Sequence, residues 1–137
     1  MFINKVSPSK IRCYNECKQK YKFKYVDYIP EEYNPNSNKD ALQFGSYIHK
    51  VLEYGTEVES YEELKELSEK ILEESDFVFG PEKAKLTEPC LRNFFEFNKG
   101  LTETVSLEMK FNIALTEDIS INGIIDRVVK NSEGKYL

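Results

Sequence analysis

From Val105 to Leu115 every second residue is apolar, and this feature constrains the fold of the chain more than any other. Successive side chains of a β-strand point to opposite faces, so the alternation predicts a strand with one buried face. A second apolar run over residues 119–129 predicts another strand, and a third begins at residues 135–137 after a turn. Residues 101–137 are therefore predicted to form a β-hairpin and the start of a third strand.

The first 100 residues instead show the three- and four-residue apolar spacing of helices. A first helix is predicted to begin near Pro8, because Ser7 can cap it and proline suits the first helical position. Lysines alternate with aromatic residues up to Tyr25, so this helix is predicted to end near Tyr21 and to continue as an extended segment. Residues 30–39 are rich in Pro, Asn and Ser, a composition that predicts an exposed loop.

A second helix is predicted over about residues 40–55, with Asp40 as its cap. A third helix is predicted to follow the sequence Ser60-x-x-Glu63. A serine followed three residues later by a glutamate can satisfy two free backbone N–H groups at a helix start. The acidic residues of this third helix are expected to face solvent.

A fourth helix is predicted over about residues 82–98, with Pro89 splitting or kinking it and Gly100 ending it in a left-handed conformation. Helices followed by strands indicate an α/β (α+β) fold. With 137 residues, 40% of them hydrophobic, residues 1–137 are expected to form a single domain, helical over residues 1–100.

The composition excludes several classes of protein. No apolar run approaches the length of a membrane helix and the N-terminus lacks the core of a signal peptide, so a soluble, cytoplasmic protein without membrane contact is expected. Three cysteines, Cys13, Cys17 and Cys90, predict reduced thiols rather than a disulfide framework. Cys13 and Cys17 lie four residues apart, but two thiolates without further ligands make a weak metal site.

The charge of the chain is unevenly distributed. Its net charge is −5, but residues 1–25 carry seven basic residues and one acidic residue. Lysines can neutralise phosphates and exposed aromatic rings can stack on bases, so this segment is a candidate nucleic-acid site. An alternative is that the aromatic residues form core while the lysines are merely solvated. The candidate DNA contacts are Lys10, Arg12, Lys18, Lys20, Lys22 and Lys24.

The single histidine, His49, lies on the second predicted helix, four residues after Gly45 and four before Glu53. A glycine inside a helix costs about 1 kcal/mol relative to alanine, so Gly45 suggests that backbone or a ligand comes close on that face. His49 is a candidate metal ligand, and Glu53 could orient its other ring nitrogen. A half-buried histidine bonded to a loop is the alternative.

Asp126 lies within the apolar second strand. A buried carboxylate is costly unless a cation or hydrogen-bond donors meet it, so a positive charge is expected to face it. That charge is either a metal ion or a basic side chain such as the adjacent Arg127. Gly123, three residues earlier, permits a close approach to the strand.

Three segments occur in a fixed order and cover nearly the whole chain. They are Ser7-Pro8-Ser9-Lys10-Ile11 with Cys17-x-x-x-Tyr21-x-Phe23-x-Tyr25, then Phe44-Gly45-x-x-Ile48-His49-x-x-Leu52-Glu53, and then Glu108-x-x-Phe111 with Ile121-x-Gly123-Ile124-Ile125-Asp126-Arg127. In this order they resemble the RecB-type branch of the PD-(D/E)XK nuclease superfamily.

The resemblance implies N-terminal helices packed against a mixed sheet in a restriction-endonuclease-like core. It also implies a metal-dependent deoxyribonuclease or exonuclease acting in DNA repair, recombination or phage DNA processing, with a helicase or recombination protein as a further partner. It implies Mg²⁺ or Mn²⁺ as cofactor, His49 and Asp126 as metal ligands, and Glu108 as a third catalytic residue. Oxygen ligands suit Mg²⁺, which lowers the pKa of a bound water and offsets phosphate charge.

The family pattern also places a carboxylate-x-lysine pair on the third strand, and the chain is expected to end at Leu137 before such a pair. The core is therefore expected to be incomplete at its C-terminus, and this fragment to be inactive alone. Some relatives bind an iron–sulfur cluster, and Cys17 resembles the first of its four cysteines. The other three would lie in a longer chain.

Two alternatives remain open at the level of the sequence. The first is a nuclease-fold module that has lost catalysis and binds DNA or a protein. The second is a small interaction protein that associates with a partner or with its own copy through the unfinished sheet.

Overall fold

The computed structural model describes residues 4–32 and 38–137. They contain strands β1 (Asn4–Val6), β2 (Leu101–Ala114) and β3 (Ile119–Asn131). The helices are α1 (Pro8–Glu16), α2 (Lys18–Tyr21), α3 (Lys39–Tyr54), α4 (Tyr61–Glu74), α5 (Pro81–Ala84) and α6 (Thr87–Asn98). The mixed α/β fold that the sequence predicts is confirmed, and it is consistent with a restriction-endonuclease-like architecture.

The described residues divide into two compact units. Unit 1 combines residues 4–32 with Glu108–Asp126, and unit 2 combines residues 38–107 with Arg127–Leu137. Both long strands continue from one unit into the other. The expectation of a single domain stays a prediction.

The sheet has three strands in the order β1-β3-β2. In unit 1, β1 runs parallel to the start of β3, from the pair Asn4 and Ile119 to the pair Val6 and Ile121. The sequence predicts no strand at β1, because three residues are too few to show an alternating pattern. A short turn joins β2 to β3, and Leu115 N donates to Ile119 O over 2.8 Å within it.

Ser7 caps α1 as predicted, accepting a hydrogen bond from Lys10 N over 3.4 Å. The chain then forms α2 and a π-helical turn at Lys22–Val26, so the predicted extended segment is wrong. The rings of Tyr21 and Tyr25, four residues apart, pack with centroids 5.3 Å apart. Contacts at helical spacing therefore decide the conformation here, against the alternation of lysines and aromatic residues.

Helix α3 matches the predicted second helix, but its cap is Asn38, whose Oδ1 accepts from Ala41 N over 3.1 Å. The prediction that Asp40 caps this helix is wrong. The Asp40 carboxylate instead accepts a hydrogen bond from Gly80 N over 2.9 Å. Residues 33–37, the centre of the predicted loop 30–39, lie outside the described residues.

The predicted cap of α4 is confirmed, with Ser60 Oγ accepting from Glu63 N over 3.2 Å. The predicted fourth helix is split into α5 and α6, with the break at Lys85 and Leu86 and with Pro89 in the first turn of α6. Proline lacks an N–H and its ring clashes with the carbonyl four residues earlier, here that of Lys85. Gly100 was wrongly expected to be left-handed, since among the described glycines only Gly134 has a positive φ, of 78°.

The core of unit 2 is built by the helices. Its buried members share the inner faces of α3, α4 and α6, and they are Phe44, Tyr47, Val51, Leu64, Ile71 and Leu91. No helix in the described part of the chain is long and apolar enough to cross a bilayer.

The apolar residues of β2 are mainly exposed, which contradicts the buried face that their alternation predicts. Val105 is 46% exposed and Ile113 55% exposed, and only Phe111 of the alternating set is half-buried. Alternation determines which residues share a face, but it does not determine whether another layer covers that face. At the other end of the hairpin the start of a third strand is confirmed, because Val129 and Leu137 exchange backbone hydrogen bonds of 3.0 and 2.9 Å.

Candidate metal centre

Two carboxylates meet on the hairpin of unit 1. Glu108 lies on β2 and Asp126 on β3, and a carboxylate oxygen of one lies within 4.8 Å of a carboxylate oxygen of the other. Glu108 is half-buried and Asp126 is exposed. Paired carboxylate oxygens suit a hard divalent cation such as Mg²⁺ or Mn²⁺, so the side chains present fit the metal that the sequence resemblance implies.

The sequence predicts that Asp126 is a carboxylate buried in an apolar strand. This prediction is wrong, because the side chain is exposed to solvent. A carboxylate here pays little desolvation penalty and needs no permanent counter-charge. Mg²⁺ keeps several of its waters when it binds proteins, so an open position is compatible with a ligand role.

Glu108 has an unusual backbone. Its φ is 49°, in the left-handed region that non-glycine residues rarely adopt, and it lies within a strand. Such a conformation costs about 1–2 kcal/mol, and strain of this kind clusters at functional sites. No sequence signal indicates it, since glutamate has no preference for a positive φ.

The left-handed residue also changes which side chains of β2 are half-buried. Before it, the polar residues Thr104 and Ser106 are half-buried, as is Glu108 itself. After it, the half-buried residue is Phe111, an odd-numbered position. A local irregularity in a strand shifts the alternation by one residue and redirects a side chain. Glu108 keeps the phase of Thr104 and Ser106, and the shift brings Phe111 to a half-buried position.

Gly123 lies three residues before Asp126 on β3. A Cβ atom at this position would lie 2.6 Å from Cζ of Phe111, closer than real Cβ atoms approach other atoms. The close approach expected from the sequence is therefore present, and the approaching group is an aromatic ring. The glycine allows Phe111 to lie across the strand that carries Asp126.

His49 lies exposed on α3 of unit 2, on the same helix as the predicted Gly45 and Glu53. No atom of the described residues lies within 4 Å of an ideal Cβ at Gly45, so the expected approach of protein backbone there is not found. Glu53 is half-buried and lines a cavity of about 370 Å³ together with Thr56 and Thr104. The assignment of His49 as a ligand, and of Glu53 as the group that orients it, stays a prediction.

Arg127 forms hydrogen bonds within unit 2, whereas the sequence predicts for it only the role of a counter-charge. Its guanidinium donates hydrogen bonds to Asn98 Oδ1 over 2.7 Å and to Thr104 Oγ1 over 2.9 Å. Burial lowers the pKa of Arg127 below its ordinary value. Within the described part of the chain it forms no ion pair with Asp126, so the alternative that paired these two neighbours is wrong.

Three of the candidate DNA-binding lysines of unit 1 have acidic neighbours. Lys24 Nζ lies 2.6 Å from a carboxylate oxygen of Glu31, and this hydrogen bond raises the pKa of Lys24 and lowers that of Glu31. The other two pairs are longer, at 3.8 Å for Lys20 with Glu16 and 3.9 Å for Lys22 with Asp27. All three pairs are largely exposed and therefore weak, so they leave the lysines able to exchange partners.

Lys10 and Lys18 lie over tyrosine rings instead. The ammonium of Lys10 is 5.6 Å from the ring centroid of Tyr25, and that of Lys18 is 5.5 Å from the centroid of Tyr14. Arg12 is exposed on α1. The aromatic residues of this segment thus pack against one another and against lysines, and Tyr14 still remains 46% exposed. Nucleic-acid binding by this segment stays a prediction.

Comparison with known proteins gives a decisive match. The family model of the PD-(D/E)XK nuclease superfamily matches residues 5–137. The chain belongs to the PD-(D/E)XK nuclease superfamily. Searches of curated proteins and of solved structures gave no significant match. Members of this superfamily are generally hydrolytic nucleases that use divalent metals, so a nuclease fold with DNA as the implied substrate is established at that level.

The superfamily is named for a carboxylate-x-lysine pair. One segment of the sequence has this spacing, although no such pair is expected before Leu137. Glu133-Gly134-Lys135 has the required spacing. The two side chains lie in the turn after β3, are largely exposed and pair with each other over 2.9 Å. Because the two residues lie in a tight turn with a left-handed glycine, Glu133-Gly134-Lys135 matches the motif in sequence spacing only and does not form it on a strand.

The PD-(D/E)XK resemblance also singled out Cys17 as an iron–sulfur ligand. Its thiol is exposed, and its Sγ accepts a hydrogen bond from Lys20 N over 3.5 Å at the start of α2. Cys13 is buried, as expected for an apolar cysteine. Among the described residues no cysteine belongs to a group that could hold a metal ion. The cluster therefore stays a prediction for a longer chain.

Proposed function

We propose that this PD-(D/E)XK protein is a metal-dependent deoxyribonuclease of RecB type that hydrolyses phosphodiester bonds in DNA. The observation that carries the proposal is the approach of Glu108 and Asp126 carboxylate oxygens to within 4.8 Å. Two exposed or half-buried carboxylates at this distance repel each other in the absence of a cation. A bound divalent ion would relieve that repulsion.

Mg²⁺ or Mn²⁺ is the proposed cofactor, and His49 is the proposed third protein ligand beside Glu108 and Asp126. The proposed ligands are thus one imidazole and two carboxylates. When bound, the metal would activate water and offset negative charge on the phosphate. The two carboxylates would hold the cation, and one of them belongs to a residue with a left-handed backbone.

DNA binding is proposed for the basic segment of unit 1. Its lysines and Arg12 supply phosphate contacts, and the exposed tyrosine Tyr14 offers a surface on which a base can stack. The ion pairs of Lys20, Lys22 and Lys24 are exposed, so phosphates can replace their carboxylate partners at low cost.

Residues 1–137 by themselves are proposed to cleave DNA poorly or not at all. The only carboxylate-x-lysine sequence after Asp126 is Glu133-Gly134-Lys135, whose side chains pair with each other in a turn. A fixed cation near the scissile phosphate is therefore not supplied by that motif. The proposal is therefore tested by measuring the metal binding and DNA binding of residues 1–137, and not by measuring cleavage.

The experiment measures Mn²⁺ binding by calorimetry and DNA binding by fluorescence anisotropy with and without Mn²⁺. For the wild type we expect one Mn²⁺ site and tighter DNA binding when it is filled. Asp126→Asn should lower the Mn²⁺ affinity at least tenfold, or about 1.4 kcal/mol. The matched control is Glu117→Gln, which removes the same charge from the nearby turn and should bind Mn²⁺ like the wild type.

Equal Mn²⁺ affinities for the wild type and Asp126→Asn would contradict the assignment of the site. DNA binding without any Mn²⁺ binding would favour the alternative of a nuclease-fold module that has lost catalysis. Metal-dependent cleavage by residues 1–137 that Asp126→Asn abolishes would confirm the nuclease and contradict only the proposed lack of activity.

Self-association through the sheet is a second proposal, favoured by the exposure of the edge strand. β2 lies at one edge of the sheet, and Val105 and Ile113 are 46% and 55% exposed on it. An edge strand with exposed apolar residues is a template for pairing with another chain. Sedimentation over a range of protein concentrations tests it, and a monomer throughout would reject it. A helicase or recombination partner and a cytoplasmic location also stay predictions.

A further inference from the structure

Arg127 makes specific contacts with neutral groups of unit 2. Its side chain is half-buried, and one terminal nitrogen donates to both Asn98 Oδ1 and Thr104 Oγ1, over 2.7 and 2.9 Å. The guanidinium carbon lies 5.7 Å from the ring centroid of Phe94. The side chain is thus fixed by α6 on one side and by the first residues of β2 on the other.

Asn98 continues this connection to helix α3. Its Nδ2 donates to the backbone carbonyl of Thr56 over 3.0 Å. Thr56 is buried just after the end of α3, and its hydroxyl donates to the carbonyl of Glu53 in the last turn of that helix. The amide of Asn98 can point only one way, because the arginine needs an acceptor and the carbonyl needs a donor.

The contacts of Arg127 stabilise the fold less than their number implies. A half-buried guanidinium with neutral acceptors pays a desolvation penalty that no carboxylate repays. In addition, its Nε is buried without a hydrogen-bond partner among the described residues. Apolar side chains of similar size often replace such charges without loss of stability. What the guanidinium supplies is direction, since its planar donors hold two acceptors at fixed angles.

From these contacts we infer that Arg127 is a positioning residue, whose guanidinium ties β3, at the position directly after Asp126, to α6 and, through Asn98, to the end of α3, the helix that carries His49. Asp126 is the preceding residue of β3, and neighbouring side chains of a strand point to opposite faces. Arg127 is therefore anchored within unit 2, while the side chain of Asp126 points to the opposite face of β3. The inference rests on the proposed metal site for its functional meaning.

The experiment uses the single histidine as a probe. The imidazole resonances of His49 are unique in the spectrum, so Mn²⁺ bound beside it broadens them selectively. We expect broadening in the wild type and loss of broadening in Arg127→Met and Arg127→Lys, together with an Mn²⁺ affinity about tenfold lower. Arg92→Lys is the matched control, because Arg92 is exposed, pairs with Glu88 and packs over Tyr61. It should behave like the wild type.

A second variant, Asn98→Ala, leaves Arg127 in place and removes its connection to Thr56. It should also abolish the broadening of His49, and it keeps the test valid if Arg127→Met does not fold. Melting temperatures are measured for all variants. An unchanged melting temperature with lost broadening supports a positioning role, because a purely stabilising residue would change stability and leave the folded site intact.

Amide exchange gives a readout that does not depend on metal. Arg127→Lys should raise exchange at the end of α3 as well as in β3, by about tenfold for each 1.4 kcal/mol of lost protection. A rise confined to β3, or His49 broadening as strong as in the wild type, would overturn the inference. If Mn²⁺ broadens His49 in no protein, the metal assignment fails, and exchange at α3 alone then decides whether Arg127 connects the two elements.

Discussion

Glu108 and Asp126 lie on neighbouring strands with their carboxylate oxygens within 4.8 Å of each other. The hairpin brings the two residues together, and the backbone of Glu108 is left-handed, with a φ of 49°. Each acid alone is an ordinary strand residue. Their proximity is the main structural support for the proposed metal-dependent nuclease function of this PD-(D/E)XK protein.

If both carboxylates hold one ion, their contributions to metal binding are coupled. We expect Glu108→Gln and Asp126→Asn each to lower the Mn²⁺ affinity about tenfold or more, and the double variant to lose less than the sum of the two in kcal/mol. The second loss is smaller because the first has already broken the site. Calorimetric titration of the four proteins measures the coupling, and strict additivity would mean that the two residues act at separate places.

The backbone of Glu108 predicts an opposition between stability and metal binding. Glycine adopts a positive φ without strain, so Glu108→Gly should be more stable than Glu108→Ala by about 1 kcal/mol. Neither variant should bind Mn²⁺ well, since both lack the carboxylate. Urea denaturation measures the stabilities.

Glu103 on the same strand is the control position for this comparison, because it lacks a positive φ. Glycine should be the less stable substitution there, by about 0.5–1 kcal/mol. If glycine and alanine rank in the same order at both positions, Glu108 is not strained.

The basic segment of unit 1 predicts salt-dependent DNA binding. Replacing Lys20, Lys22 and Lys24 together by glutamate should abolish binding at low salt, because it removes phosphate contacts and adds repulsion. Removing the competing carboxylates by Glu16→Gln and Glu31→Gln should strengthen binding, because these acids pair with the lysines. Anisotropy titrations at several salt concentrations measure both effects.

The matched control for the charge reversal lies in unit 2. Lys65, Lys70 and Lys85 are exposed, and their replacement by glutamate changes the net charge by the same amount. DNA binding should fall much less in this variant. An equal loss in the two triple variants would show that total charge, and not the segment, governs binding.

Tyr47 predicts a loss of stability at alkaline pH. Burial raises the pKa of Tyr47 above its ordinary value of 10.0, and its hydroxyl donates to the carbonyl of Ser68 over 3.1 Å. Because the folded pKa exceeds the unfolded one, the stabilisation is complete below pH 10 and is lost as the pH rises through the folded value. Tyr47→Phe removes the hydrogen bond and should cost about 1 kcal/mol at pH 7.

Urea denaturation at pH 7 and above pH 10 tests this behaviour. The deficit of Tyr47→Phe relative to the wild type should shrink at the higher pH, because only the wild type must keep a buried phenol protonated. Tyr54→Phe is the control, since Tyr54 is 62% exposed. A deficit that is the same at both pH values would contradict the burial effect.

Local chemistry determined much of this protein from its sequence. Ser7 and Ser60 cap helices as predicted, and Pro89 breaks a helix where its missing N–H requires it. The two long strands follow from alternation over the residues that form them. These features depend on neighbours within a few positions, so sequence patterns contain them. The order of the family motifs likewise led to the superfamily that the family model confirms.

The tertiary structure decided what depends on distant residues. Asp126 is exposed and the apolar face of β2 is largely open, because burial is set by which layers pack and not by alternation. Arg127 bonds to Asn98 and not to its neighbour Asp126, since adjacent strand residues face opposite sides. The left-handed φ of Glu108 has no local signature. A strained residue persists only where surrounding contacts hold it, and those contacts exist only in the folded chain.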